Sequence, residues 1–300
     1  MTHPSARAGG AGAKFDGATR QGILRAMKLS ALALLAALAP LPALAAYGSA
    51  NDLASQLTGQ HAVYTLGLSK LRTHDITGAT GQMAFDVVDG CTGWATTQHM
   101  TLIIRNVDGS LTKSVSDYIT WESKDGKTLT FTLRESDDGG KVKIDDAGIA
   151  THTGADDSGV IKYSIPANTE LKMPPGTLFP MQHTEALLAA GRAGSKFIAP
   201  LLFDGTTADG AQATFITVLG HQGPAKSPWP GLDKYASTNV DIAFFERKND
   251  DETPDFRTSM RYFENGVATG LVLDFGDFVM TGKLTALSLP PSPCPPPASP

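Results

Sequence analysis

"NVDGSLTKSVSDYITWESKDGKTLTFTLRESDDGGKVKI", residues 106–144, holds runs of alternating apolar and polar residues separated by glycine-bearing turns. Alternation with period two marks a strand with one face buried. NVDGS, KDGK and DDGGK each place glycine where a hairpin needs positive φ. On the N-terminal side, VYTLGLSKL (Val63–Leu71), GQMAFDVV (Gly81–Val88) and WATTQHMTLIIRN (Trp94–Asn106) alternate in the same way. On the C-terminal side, DDAG and ADDSG read as further turns, followed by VIKYSI and TELKM. The alternation returns in QATFITVLG, NVDIAFFER, FRTSMRYFE, VATGLVLDF and FVMTGKLTAL, with ENG (264–266) and DFGD as the turns. Strands joined this way predict a mainly β fold, a large antiparallel barrel or open spiral-like sheet of about a dozen or more strands.

One segment departs from the pattern. MPPGTLFPMQHTEALLAAGRAGSKF (173–197) breaks the chain at Pro-Pro-Gly, places Pro180 in a first helical turn and meets glycine at 191 and 194. It predicts one main helix from Pro180 to Gly191. A short helix is also expected over Asn51–Leu57.

The N-terminal region is a separate signal. Arg25 and Lys28 precede an apolar run from Leu29 to about Leu41, and Ala43-Leu44-Ala45 supplies small residues for cleavage. This reads as a signal peptide over 27–45, with residues 1–26 an upstream extension or start-site artefact. The run is shorter than the roughly 20 residues that span a bilayer, and Pro40 and Pro42 break its end, so no stable membrane span is expected after cleavage. Residues 46–294 form one domain, long enough for a full core, and 295–300 a proline-rich tail.

Two cysteines are present, Cys91 in VVDGCTGWAT and Cys294 in LSLPPSPCPPPASP. Proline fixes φ and offers no donor, so nothing local shelters Cys294. In an exported chain, disulfides persist. Pairing Cys91 with Cys294 closes a loop of about 200 residues, worth at most about 5 kcal/mol. A free surface thiol and an intermolecular bond are the alternatives.

Formal charge is −5, which argues against nucleic acid or an anionic membrane surface as the main partner. None of the seven histidines lies in a metal-binding spacing. His183, just before the helix run, reads as a capping or packing residue. No nucleophile elbow, phosphate loop, dinucleotide fingerprint or redox Cys pair occurs in the mature chain. Acidic runs at 136–138 and 248–255 read as exposed hairpin loops. No catalytic, metal or cofactor residue is assigned, and the chain is expected not to be an enzyme. The remaining signal is aromatic: Phe85, Trp94, Trp121, Phe131, Phe215, Phe244, Phe245, Tyr262, Phe263, Phe275 and Phe278 lie on strands or their turns. A closed sheet of this size has a lumen too wide for side chains alone, so either the helix plugs it or a ligand with an apolar part enters it.

PPGTLFPMQHTEALLAAGRAGSKFIAPLLFDG (174–205), MRYFENGVATGLVLDFGDFVMTGKLTAL (260–287), GQMAFDVVDGCTGW (81–94) and a tail carrying Pro-Cys resemble the EipB family of periplasmic cell-envelope integrity proteins. The resemblance spans roughly Ala46 to Cys294. It implies a β-spiral resembling a broken barrel, a disulfide that maps onto Cys91 and Cys294, and residence in the periplasm. It further implies a shape similar to lipoprotein-handling folds and a periplasmic tetratricopeptide-repeat protein as partner. The expected function is a non-enzymatic one, supporting the envelope by binding a protein partner or an envelope lipid or lipoprotein. The alternative is a hydrolase of envelope polymers with an unrecognised active site.

Overall fold

Each long alternating run becomes a strand of one sheet in the computed structural model, which describes residues 56–245 and 253–294. The first meander contains β1 (Gln60–Leu71), β2 (Ile76–Asp89), β3 (Gly93–Asn106), β4 (Leu111–Ser123), β5 (Thr128–Asp137), β6 (Val142–His152), β7 (Gly159–Ile165) and β8 (Thr169–Met173). The short β9 (Thr177–Leu178), the helix α1 (Pro180–Arg192), β10 (Phe197–Ile198) and β11 (Leu201–Leu202) follow. The second meander contains β12 (Gln212–Gln222), β13 (Ser237–Phe245), β14 (Phe256–Phe263), β15 (Ala268–Asp274) and β16 (Phe278–Ser288). Antiparallel pairing of β1 with β16 joins the two meanders. The result is a 16-stranded, nearly closed, barrel-like sheet that begins at β8 and ends at β9.

The turns behave as their glycines require. Gly109, Gly126, Gly140, Gly266 and Gly276 all take positive φ between β-strands. The expected helix is α1, one residue longer than Pro180–Gly191. β9, β10 and β11 have two residues each, too few to show a period, and β9 pairs parallel with β11.

The expected turn at DDAG is corrected. Asp145–Gly148 lies inside β6. A Cβ on Gly148 would stand 2.4 Å from the carbonyl oxygen of Lys162 and 2.8 Å from Phe131 Cζ. Gly148 is therefore a site of close approach, and the β6–β7 register slips beside it. Of the expected Asn51–Leu57 helix, only Gln56 and Leu57 are described: Gln56 lies in a turn, and Leu57 carries no regular structure. The leader, the upstream extension and the 295–300 tail lie outside the described residues.

Alternation sends one set of side chains inward, where they form three main clusters. One joins α1 to both meanders: Leu187, Leu188 and Ala190 pack with Ile216, Val240 and Ile242, and also with Val87 and Trp94. A second joins Ala62, Tyr64 and Leu66 to Leu271, Met280 and Leu284. In the third, Phe131 meets Tyr163 and Phe203 edge-on, at centroid distances of 5.4 and 5.2 Å.

Cys91, in the β2–β3 turn, is disulfide-bonded to Cys294 with a Cα–Cα distance of 5.3 Å. Asp89 organises the same corner. Its carboxylate accepts from the Cys91 N–H at 2.9 Å and the Ser292 hydroxyl at 2.9 Å, and pairs with Lys124. Partial burial opposes its charge, but Lys124 and these donors hold its carboxyl below the usual carboxylate range.

Replacing Cys91 or Cys294 by serine is expected to lower stability by about 2–5 kcal/mol, because the bond closes a loop of 203 residues in the unfolded chain. Urea midpoints report this, and protease should then clip the chain beyond β16. Equal midpoints with and without reductant would contradict it.

Candidate functional site

α1 starts without a cap of its own. Pro180 opens its first turn, and the preceding Phe179 has no side-chain acceptor for the first amides. Glu122, at the end of β4, supplies one. Its carboxyl oxygens accept from the N–H of Met181 at 2.7 Å (Oε2) and of Gln182 at 3.1 Å (Oε1), at the start of the helix. The Gln182 side chain accepts from the Phe179 N–H at 3.2 Å. The β4–β5 turn presses on this side chain: a Cβ on Gly126, at φ 67°, would lie 2.0 Å from Gln182 Nε2. The other end of α1 is tied to the second meander, where Arg192 Nε and Nη2 meet Glu264 Oε1 at 2.9 and 2.8 Å. Glu122 and Glu264 are both buried.

Burial sets the electrostatics of this interior. It pushes the Glu122 carboxyl up to about 8, against the pull of the two backbone N–H groups, and the neighbouring Glu185 adds to the rise. Burial raises Glu185 itself to about 7. His183 is pushed down to about 4 by burial alone, so its ring is neutral. Its Nε2 lies 3.1 Å from Thr214 Oγ1, and that hydroxyl donates to the Pro200 carbonyl at 2.7 Å. Thr214 therefore accepts from Nε2–H. Tyr118 donates to the Asp204 carbonyl at 2.5 Å, and burial raises the phenols of Tyr118 and Tyr262.

The residues singled out in the sequence separate by face. Cys91 and Cys294 come together, and His183 is packed inside. Trp94, Phe131, Phe263 and Phe278 are buried, and Phe85, Phe244 and Tyr262 pack against the inner clusters. Phe244, Phe256, Phe275 and Phe278 form a ladder with centroid spacings of 5.1–5.7 Å. Trp121 and Phe215 instead point out, 37% and 41% exposed. Asp137, from the acidic run at 136–138, caps its own turn and pairs with Lys143. The run at 248–255 lies partly outside the described residues. Among the described residues no group of three or more His, Cys, Asp or Glu is placed to hold a metal ion.

Sequence reasoning missed Glu122, Arg192 and Glu264. The signal for Glu122 was its parity: it follows Tyr118 and Thr120 on the inward-facing set of β4, where a carboxylate has to find a partner.

A family model described as EipB-like matches residues 51–291. The chain is 30% identical over 258 residues to the cell envelope integrity protein EipB of Brucella abortus (strain 2308), covering 82% of this chain and 89% of that protein. It is also similar to a solved structure, a beta-barrel-like protein of a domain of unknown function from Brucella abortus. There the TM-score is 0.70 and the identity 28%, over 78% of this chain and 99% of the other.

Stability should depend on pH with a definite sign. Folded Glu122 keeps its proton to about 8, against the usual 4.5, so the folded state binds more protons in that window and stability falls as pH rises through it. His183 acts oppositely: its value drops from 6.5 to about 4, so stability falls as pH falls through that window. Glu185, raised to about 7, adds to the Glu122 slope, so the two carboxyls oppose the histidine up to 6.5, and above that the carboxyls act without it. The urea midpoint is therefore expected to decline from pH 6.5 to 8, and Glu122→Gln to flatten the decline. Glu122→Ala, which orphans two N–H groups, is expected to cost about 1–3 kcal/mol. A flat wild-type profile would contradict the pH assignment.

Proposed function

The chain belongs to the EipB-like family, and on that premise we propose that it is a non-enzymatic protein of the periplasm that supports cell-envelope integrity by binding at its outer surface. Its partner is another protein, such as the tetratricopeptide-repeat protein suggested by the resemblance, or an envelope lipid or lipoprotein. The observation that carries this reading is the position of α1. The helix packs against both meanders and is tied at both ends, to Glu122 and to Glu264. An interior occupied in this way serves as core, which leaves the outside for recognition.

The outside is suited to contact. Ile119, Trp121 and Ile149 on β4 and β6 are 50%, 37% and 48% exposed, and Phe197, Phe215 and Leu219 on β10 and β12 are 61%, 41% and 63% exposed. Phe197 stacks on Phe215 at 5.4 Å. Apolar groups gathered on a surface are a common mark of an interaction site. The disulfide favours an oxidising compartment. No helix among the described residues is long and apolar enough to cross a membrane. The non-enzymatic reading is favoured by the burial of His183 and Thr214 and by their hydrogen-bond order. The Thr214 hydroxyl donates to the Pro200 carbonyl and accepts from His183 Nε2–H, so this imidazole does not take the hydroxyl proton as a general base would.

The test is complementation of a strain lacking the protein, scored as survival on detergent. His183→Gln is expected to restore survival, whereas Phe197→Glu with Phe215→Glu is expected to reduce it at an unchanged melting temperature. Loss of survival with folded His183→Gln and full rescue by the outer-face variant would favour the hydrolase instead.

A further inference from the structure

The 16-stranded sheet has a seam. β15 keeps register with β16 only where Leu271–Asp274 faces Gly282–Val279. Toward Ala268 the strands part, while β16 continues along β1, pairing Leu284 with Tyr64 and Ala286 with Val63. Gly270, at φ 63°, marks the point of divergence. The Tyr64 hydroxyl reaches across and donates to the Ala268 carbonyl at 2.8 Å. The 223–236 loop covers the opening, and its Trp229 packs against both the Tyr64 cluster and the Leu232, Phe263 and Val267 cluster.

Two clefts flank Trp229. The larger, about 490 Å³, is mostly apolar, with walls that include Pro228, Trp229, Leu271, Val272 and Leu284, and with Lys283 among its lining. At Pro228, Trp229 and Thr269 it adjoins a second cleft of about 220 Å³, whose walls include Lys226, Arg261, Gln222 and Ser227. Lys226 and Lys283 have no carboxylate partner among the described residues. Arg261 has only the Asn239 amide oxygen, at 3.2 Å. Asp233, the loop's own carboxylate, accepts from the Ser227 N–H at 2.7 Å. Lys226 and Arg261 thus line the smaller cleft and Lys283 the larger, three cations without a carboxylate partner among the described residues, in a chain of net charge −5.

We propose that this seam binds one anionic phospholipid molecule. One of its two acyl chains lies along Pro228, Trp229 and Val272 on the outer side of the seam, and its phosphate sits among Lys226, Arg261 and Lys283. The larger cleft is open to solvent, so it covers one side of a chain whose other side stays exposed. Methylenes gain by leaving water for it, and guanidinium and ammonium groups match a phosphate. An extended peptide without acidic groups would use the parted strand edges but leave the cationic cleft without an anion, and an acidic one would leave the apolar walls without an apolar chain. The proposal rests on outer-surface binding and specifies its ligand.

The test uses the mature chain incubated with phosphatidylglycerol vesicles, re-isolated and weighed by native mass spectrometry. Phosphatidylcholine of the same chains is the control. One phosphatidylglycerol per chain is expected, with little phosphatidylcholine. Lys226→Glu with Arg261→Glu should weaken retention roughly tenfold or more. Thr281→Trp, from an exposed position on the groove wall, should block it, with melting curves verifying both folds. Several results would overturn the proposal: no adduct, equal uptake of the two lipids, retention unchanged in both variants, competition by glycerol phosphate as strong as by the lipid, or a bound peptide in place of lipid. Failure here with the complementation pattern intact would reject the seam site and leave outer-surface binding standing.

Discussion

Two hydrogen bonds from the first turn of α1 to the Glu122 carboxyl group decide what the interior of this protein is. A sheet of sixteen strands encloses more space than its own side chains fill. The chain packs one face of a helix against both meanders, and a helix end held there must find acceptors for its first amides. Pro180 removes one of those donors, and Glu122 takes two more. Arg192 on Glu264 ties the opposite end to the other meander. The helix also presents Leu187, Leu188 and Ala190 to both halves of the sheet. Placing a carboxyl there carries a cost, visible in the rise of its pKa to about 8. It is the cost of an interior that is packed.

Closure of the sheet depends on a second pair of contacts. β1 and β16 come from opposite ends of the domain and zip along their length. The disulfide then fastens the chain after β16 to the β2–β3 turn, with Asp89 bridging the two sides through Cys91 and Ser292. This restraint leaves the other side of β16 free to part from β15. The seam and its two clefts lie where the covalent and hydrogen-bonded restraints do not reach, and Tyr64 and Trp229 partly fill the gap.

Much of this was legible in the sequence because alternation and turn chemistry are local. The runs on either side of KDGK and DDGGK became β4, β5 and β6, and Pro180 opened the helix as expected. The pairing of Cys91 with Cys294 was readable because each had only one partner within the chain. DDAG misled because its glycine serves a close approach beneath Phe131, a tertiary reason that imitates a turn. The inward parity of Glu122 was readable, but the partners of Glu122 and Glu264 were not, because they lie about sixty and seventy residues away across the fold. The seam was hidden for a related reason: strand register depends on both partners, and a slip of one residue exchanges inside for outside.

Amide hydrogen exchange across α1 tests the packed interior most directly. If the helix is core, the amides of Met181 and Gln182, held by Glu122, and those of Leu187 to Ala190 should exchange as slowly as the central strands β1 to β4. Exchange of the whole helix within seconds, with β3 and β4 still protected, would instead make α1 a mobile gate over an open lumen and would contradict recognition from the outer surface.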